Sequence, residues 1–426
     1  AEAEAGSGWR RAMAPGGLGR TEIEAYDAVA SVASCGQVGH EDAQARNAAT
    51  GQAGAAAAGA AAERLEDEME DEQEYVMAIA VSPDESTAAA AWSDYGIRLY
   101  DLQHGLSGAS TQTLLGHSNR VSAVTFGNSA TDPKSVFSCD EDGAVVAWDR
   151  TTLKPAQNFV LGNRKIPASA LAVGCDNNLI AVGTDDSEES NVVFFDRRSS
   201  RKLGEYTQSH TDTITQLVFN PHKPTHLTSS STDGLMCYFD VAKQDEEEAT
   251  ISVMNVANPV RKVGYFGPFS ECLYALTFNE SISLFHADKA VSMAEFHFVR
   301  DLLTGAGAPS DYLVDCFYAQ GKQPGTKSQA LVLVSGDHKG RMYLSDLTLA
   351  GVQRLCVLEG EMGHTRDVRA VAALARSPVT GIPSRLLSGG EDGLVCDWRH
   401  RDKLEATTAH GRATRRTHRT HMSNPM

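Results

Sequence analysis

A serine, a histidine and an aspartate brought together by folding can form a hydrolytic triad, and His117, Ser138 and Asp142 supply those three groups. The same residue types recur in the same order as His210, Ser229 and Asp233, and again as His364, Ser388 and Asp392. A nucleophile is needed once, whereas a side-chain staple is needed in every copy of a repeating unit. The recurrence therefore points to structure rather than catalysis. Ten residues beyond each serine stands an aromatic residue: Trp148, Phe239 and Trp398. Other signatures of chemistry are absent from the sequence, with no GxxxxGK[ST], HExxH, GxSxG or strand-coupled GxGxxG. The stretch TGAGAPS from Thr304 reads as a flexible loop. Eight cysteines are spread singly, without CxxC or His/Cys spacing suited to zinc. No catalytic residue, cofactor or metal ligand is expected.

The elements that position these residues repeat roughly every 47 residues between 75 and 401. The clearest copies begin at Gly116, Ser209 and Gly363, each with short apolar or alternating runs broken at Asp142-Gly143, Asp233-Gly234 and Asp392-Gly393. Such runs between Asp-Gly pairs are β-strands joined by tight turns. The Gly-His near the start and Trp-Asp near the end of a copy resemble the WD-repeat family, whose unit is a four-stranded propeller blade. Weaker copies end at Tyr100-Asp101, Phe195-Asp196, Phe285-His286 and Ser345-Asp346, which gives seven blades. The resemblance implies that His117, Ser138, Asp142 and Trp148 form one hydrogen-bonded tetrad. It implies the same for His364, Ser388, Asp392 and Trp398, and for His210, Ser229 and Asp233 with Phe239 in place of tryptophan. Lys339 stands in blade six where these copies carry aspartate. Residues 22–30, the stretch near 63–65 and residues 404–408 are the candidates for the strand that closes the ring.

The expected class is all-β, a seven-bladed propeller over 75–408. An Ala/Gly-rich extension over 1–62, with almost no large apolar residues, is expected to be disordered; Arg10, Arg11 and Arg20 raise the alternative of a transit peptide, against which Glu2, Glu4, Glu22 and Glu24 argue. An acidic linker covers 63–74 and a basic tail 409–426. The formal charge of −17 comes from 38 basic and 55 acidic residues, and the runs 63–74, 185–189 and 245–248 carry nearly all of it. The remainder is close to neutral, which argues against a broad face for duplex DNA. No apolar run is long enough to span a membrane and no secretory leader opens the chain, so an intracellular protein with free thiols is expected. The tail carries Arg412, Arg415, Arg416 and Arg419 without an acid, suited to nuclear localisation or to RNA phosphate contact, or simply a solvated end.

Several stretches resemble the family of WD repeat-containing protein 89 and its plant counterparts: SHTDTITQLVFNPHKP (209–224), ISVMNVANPVRKVGYFG (251–267), DYLVDCFYAQG (311–321), and GHTRDVRAVAAL with SGGEDG near the end. The resemblance covers about 75–401 and implies a non-enzymatic scaffold, nuclear or nucleolar, with a link to growth and ribosome production; a cytoplasmic location is the alternative. Expected partners are other proteins on the propeller face, pre-ribosomal proteins or RNA at the tail, and neither membrane nor small-molecule substrate. The chain is expected to be monomeric within larger complexes. Loops after the Gly-His or Ser-His pairs offer Arg120, Asp212, Arg366 and Asp367 for partner binding. A substrate receptor of a cullin-type ubiquitin ligase is the alternative, since such receptors use an arginine shortly after Trp-Asp; Arg198 and, less well, Arg401 occupy that place. Direct RNA binding is the third reading.

Overall fold

The computed structural model describes residues 26–28, 74–106, 111–127, 134–162, 164–186, 190–320, 329–360, 362–376 and 383–400. Within them the chain forms seven four-stranded antiparallel sheets, the blades of one ring. In each of the first six blades the strands follow in chain order from the innermost outward, as in blade two with Val121–Phe126, Ser135–Asp140, Ala144–Asp149 and Lys154–Val160. The second strands are buried almost throughout, and their sequences read as continuous apolar or small-residue runs such as Thr87–Trp92 and Cys272–Thr277. Outer strands alternate or face solvent, as in Arg201–Tyr206. Burial on both sides removes the need for alternation.

Each innermost strand carries a register irregularity at its first residues, between Val76 and Ala78 in blade one and between Val368 and Ala370 in blade seven, with equivalents in the other five. A bulge adds local twist, and seven at one position give each blade the same turn toward the axis. The core lies between blades as much as within them. Ala89, Ala91, Ile97 and Leu99 of blade one pack with Val121, Val136 and Trp148 of blade two.

The ring closes with Tyr26–Ala28, which pairs antiparallel with Val395–His400 as the outer strand of blade seven, placing Ala28 opposite Trp398. Of the three candidate closing segments, the first holds this position. These three residues fall inside the extension expected to stand apart from the fold, and that boundary is corrected accordingly. Most of the acidic linker and the whole stretch 401–426 lie outside the described residues, so the candidates near 63–65 and 404–408 do too. Thr304 and Gly305, read as loop, end the short helix Val299–Gly305 that joins blades five and six. Seven cysteines fall among the described residues and all are free. Burial pushes the Cys139 thiol up to about 12. No helix among the described residues is long and apolar enough to cross a membrane.

Candidate functional site: staples and the rim they fix

Blade seven shows the staple in full. His364 Nδ1 lies 3.0 and 3.1 Å from the Asp392 carboxylate oxygens, its Nε2 lies 2.7 Å from Ser388 Oγ, and Trp398 Nε1 donates to the same Oγ at 2.7 Å. Indole N–H can only donate, so the serine oxygen accepts it and turns its own proton to His364 Nε2; Nδ1–H then points at Asp392. This assigns the tautomer from the network. Burial works against a charged Asp392, but hydrogen bonds from His364, Thr365 N–H and Leu394 N–H outweigh it and hold the carboxyl below its ordinary range. The set joins the entry loop, second strand, turn and third strand. Ser388 is fully buried, so it is closed to any substrate.

Blade four lacks the indole donor. His210 contacts Ser229 Oγ at 2.6 Å and Asp233 at 3.1 Å, while Phe239 is buried and packs on Tyr206. A second clamp compensates. Glu246, from an acidic run read only as charge, accepts from the N–H groups of Thr207 at 2.6 Å and Gln208 at 3.0 Å and from the Ser209 hydroxyl.

Blade two departs from the expected tetrad. His117 contacts Ser138 Oγ at 2.6 Å and Trp148 Nε1 donates there at 2.7 Å, but the acid beside His117 Nδ1 is Asp140, at 2.7 Å. Asp140 is fully buried and its other oxygen accepts from the Asp142 N–H at 3.0 Å and the Ala144 N–H at 2.8 Å. Asp142 instead faces outward to Lys165 at 2.9 Å, Ser118 at 3.0 Å and Asn119 at 3.3 Å. The physical reason lies in the position of Asp140, the last residue of the second strand. Its equivalents are Ser231 in blade four and Gly390 in blade seven. A Cβ at Gly390 would stand 2.7 Å from His364 Nδ1 and 2.8 Å from Asp392 Oδ1, so glycine there opens the space the turn acid fills. Blade six uses the blade-two solution with a different side-chain partner. Asp337, at the position of Asp140, accepts from the Lys339 and Arg341 N–H groups, each at 3.0 Å, and from Arg341 Nε at 2.7 Å. The doubled acid in Ser138-Cys-Asp-Glu-Asp142 was the available sign.

The staples fix loops around one mouth of the central channel, a cavity of about 600 Å³ whose lining includes Arg120, Asp367, Arg369, Glu391 and Tyr312. Arg120 sits 3.6 Å from Glu141, and Asp367 is bridged by His338 Nδ1 at 2.9 Å. Arg369 meets Glu391 at 2.6 Å. Asp212 turns its carboxylate to the Thr213 N–H at 2.7 Å, and Arg366 is exposed. Both sit beside the lining on the same loops. The structure thus brings Arg120 and Asp367 to one cavity, with Asp212 and Arg366 at its edge. Arg198 lies at the opposite ends of the strands, and its guanidinium folds onto Asp196 at 3.2 Å. Arg401 and the four tail arginines lie outside the described residues. Reading the sequence missed Glu391, Arg369 and Tyr312, which differ from blade to blade and carry no repeat signature.

Seven blades closed by a strand from the N-terminal side, with His-Ser-Asp staples under the loop-bearing face, define a seven-bladed β-propeller similar to WD-repeat proteins. The model described as "WD domain, G-beta repeat" matches residues 108–149 and 201–240. Over most of its length the chain is similar to WD repeat-containing protein GTS1 of Arabidopsis thaliana, with 26% identity covering 76% of this chain and 81% of the relative. Similarity to the WD repeat-containing protein 89 homolog of Dictyostelium discoideum is 25%, covering 78% and 84%. A shorter stretch is 33% identical to the ribosome biogenesis protein WDR12 homolog of Oryza sativa subsp. japonica, covering 32% of this chain and 29% of that one.

Proposed function

We propose that this propeller is a non-enzymatic scaffold whose loop-bearing face docks protein partners in the nuclear assembly of ribosomal precursors. The observation that carries it is the channel mouth, where staples buried in blades two, four and seven hold exposed charged loops at a rim. A rigid rim of varied side chains suits specific recognition because little is lost in ordering it. Arginine is favoured at hot spots, and Arg120 and Arg366 stand there. The name of the Oryza relative supports the ribosomal assignment, and the arginine-rich tail supports a nuclear one. Affinity purification of the full tagged chain from nuclear extract tests the reading. Assembly factors of pre-ribosomes should be recovered, and the recovery should fall in the double variant Arg120→Ala/Arg366→Ala while the melt is unchanged. Equal recovery by that variant would count against docking at this rim. Replacing Arg412, Arg415, Arg416 and Arg419 with glutamine should reduce nuclear retention and leave the propeller folded; an unaltered location would remove the tail from the account.

A further inference from the structure

Two seams between blades on the rim pack alike and differ in charge. Where blade two meets blade three, the turn at Gly143 packs against the next loop, as a Cβ there would stand 2.2 Å from Ile166 O. The turn acid Asp142 is matched by Lys165 from that loop at 2.9 Å. Where blade six meets blade seven, the turn at Gly340 packs in the same way, with the corresponding Cβ 2.2 Å from His364 O and 2.7 Å from Thr365 N. Here the turn residue is Lys339, and the facing loop brings another cation, Arg366, two residues beyond the staple histidine.

Three aspartates described near this seam are already engaged. Asp367 bridges His338 at 2.9 Å, Asp311 accepts the His338 N–H at 3.0 Å, and Asp337 holds Arg341 at 2.7 Å. Among the described residues Lys339 and Arg366 are exposed and form no ion pair, whereas Arg120, Arg164, Lys165, Lys262 and Arg369 on the rim all do. Met362, on the same entry loop as Arg366, exposes 46% of its surface and offers an apolar contact.

We propose that the rim at the seam of blades six and seven binds an acidic segment of a protein partner, its carboxylates paired by Lys339 and Arg366 and an adjacent apolar side chain set on Met362. The inference rests on the docking face proposed above and specifies the chemistry of what docks there. A carboxylate supplied by the partner completes a seam that blade two completes internally with Asp142. Arg366 can grip such a carboxylate with two parallel N–H groups, while Lys339 adds a mobile point charge. Attraction of this kind fades with salt.

Fluorescence anisotropy on the full chain tests the proposal, using a short labelled peptide of glutamate and leucine against its glutamine counterpart. The glutamate peptide should bind, weaken about tenfold or more as salt is raised, and weaken about as much in the double variant Lys339→Glu/Arg366→Glu. Both positions are exposed, so the melt should be unchanged. Arg201→Glu, at the opposite end of blade three, should bind as the parent does. Tighter binding by a chain whose acids in 63–73 are replaced by amides would support the same charge preference, with that run as a tethered competitor. Equal binding of the two peptides, or undiminished binding by the double variant, would overturn the proposal. If Arg120→Ala still releases protein partners in that event, docking at the rim stands and only the acidic partner falls; if it releases none, both fail.

Discussion

Replacing Asp140 with alanine separates the observed blade-two staple from the one that repeat spacing suggests. The carboxylate takes His117 Nδ1–H at 2.7 Å and two backbone N–H groups at 3.0 and 2.8 Å, and neither side chain of the His117–Asp140 pair exposes more than 1%. Alanine leaves the imidazole N–H buried without an acceptor, at roughly 1 to 3 kcal/mol. The two turn amides lose the same partner, although water can reach the half-exposed turn and offset part of that loss. A total of about 3 kcal/mol follows, in the range found when a buried hydrogen-bonded network is broken. Asp142→Ala removes only outward contacts to Lys165, Ser118 and Asn119, and should leave the urea midpoint within replicate scatter. Urea titrations of the two variants, followed by tryptophan fluorescence, provide the assay, since Trp148 belongs to the network. A stable Asp140→Ala beside an unstable Asp142→Ala would refute the assignment.

Gly390→Ala should destabilise blade seven by about 1 to 3 kcal/mol, because the added Cβ would meet His364 Nδ1 at 2.7 Å; a midpoint equal to that of the parent in urea would contradict it. Asp392 and Asp233 have folded carboxyls held below the unfolded range, so their contribution is present above an unfolded pKa of about 3.9 and is lost as pH falls through the lower folded values. Stability measured from neutral pH down to acid should therefore drop below about pH 4, and the drop should be shallower in Asp392→Asn. Deleting residues 1–24 should preserve the cooperative melt, whereas deletion through Ala28 should lower the midpoint and promote association, since it uncovers the edge of Val395–His400. Identical behaviour of the two truncations would argue against closure by that strand.

Most of the architecture was legible because each blade repeats short apolar runs, joined in three of them by Asp-Gly turns, and the runs survive even where the staple has decayed. Blade six shows this well: Lys339 replaces the turn acid, yet Met342–Thr348 still pairs with Gln329–Gly336. Ring closure was narrowed to three places and no further. Tyr26–Ala28 is three residues long and sits in an alanine-rich stretch, where no periodicity can mark a strand. The substitution of Asp140 for Asp142 escaped notice for another reason. Spacing locates a residue along the chain, while burial beside His117 decides which of two nearby acids faces the imidazole. The acidic runs hid structure in the same way: Asp185 accepts from Thr213 Oγ1 at 2.5 Å across two blades, and Glu246 caps three groups of a loop. The rim itself was legible only in part, since Arg120 and Asp367 follow the repeat frame and Tyr312 and Phe278 do not.

Docking of partners on the loop-bearing rim would change the exchange of backbone amides there. Hydrogen exchange of the full chain, alone and in complex with the partner recovered from nuclear extract, tests it most directly. Docking there predicts slowed exchange in the loops at 116–120, 209–213 and 362–367 and in the turn at 338–340, with little change at the opposite ends of the blades near 149–154, 196–201 and 267–271. Protection confined to those opposite ends, with the rim exchanging as in the free protein, would contradict it.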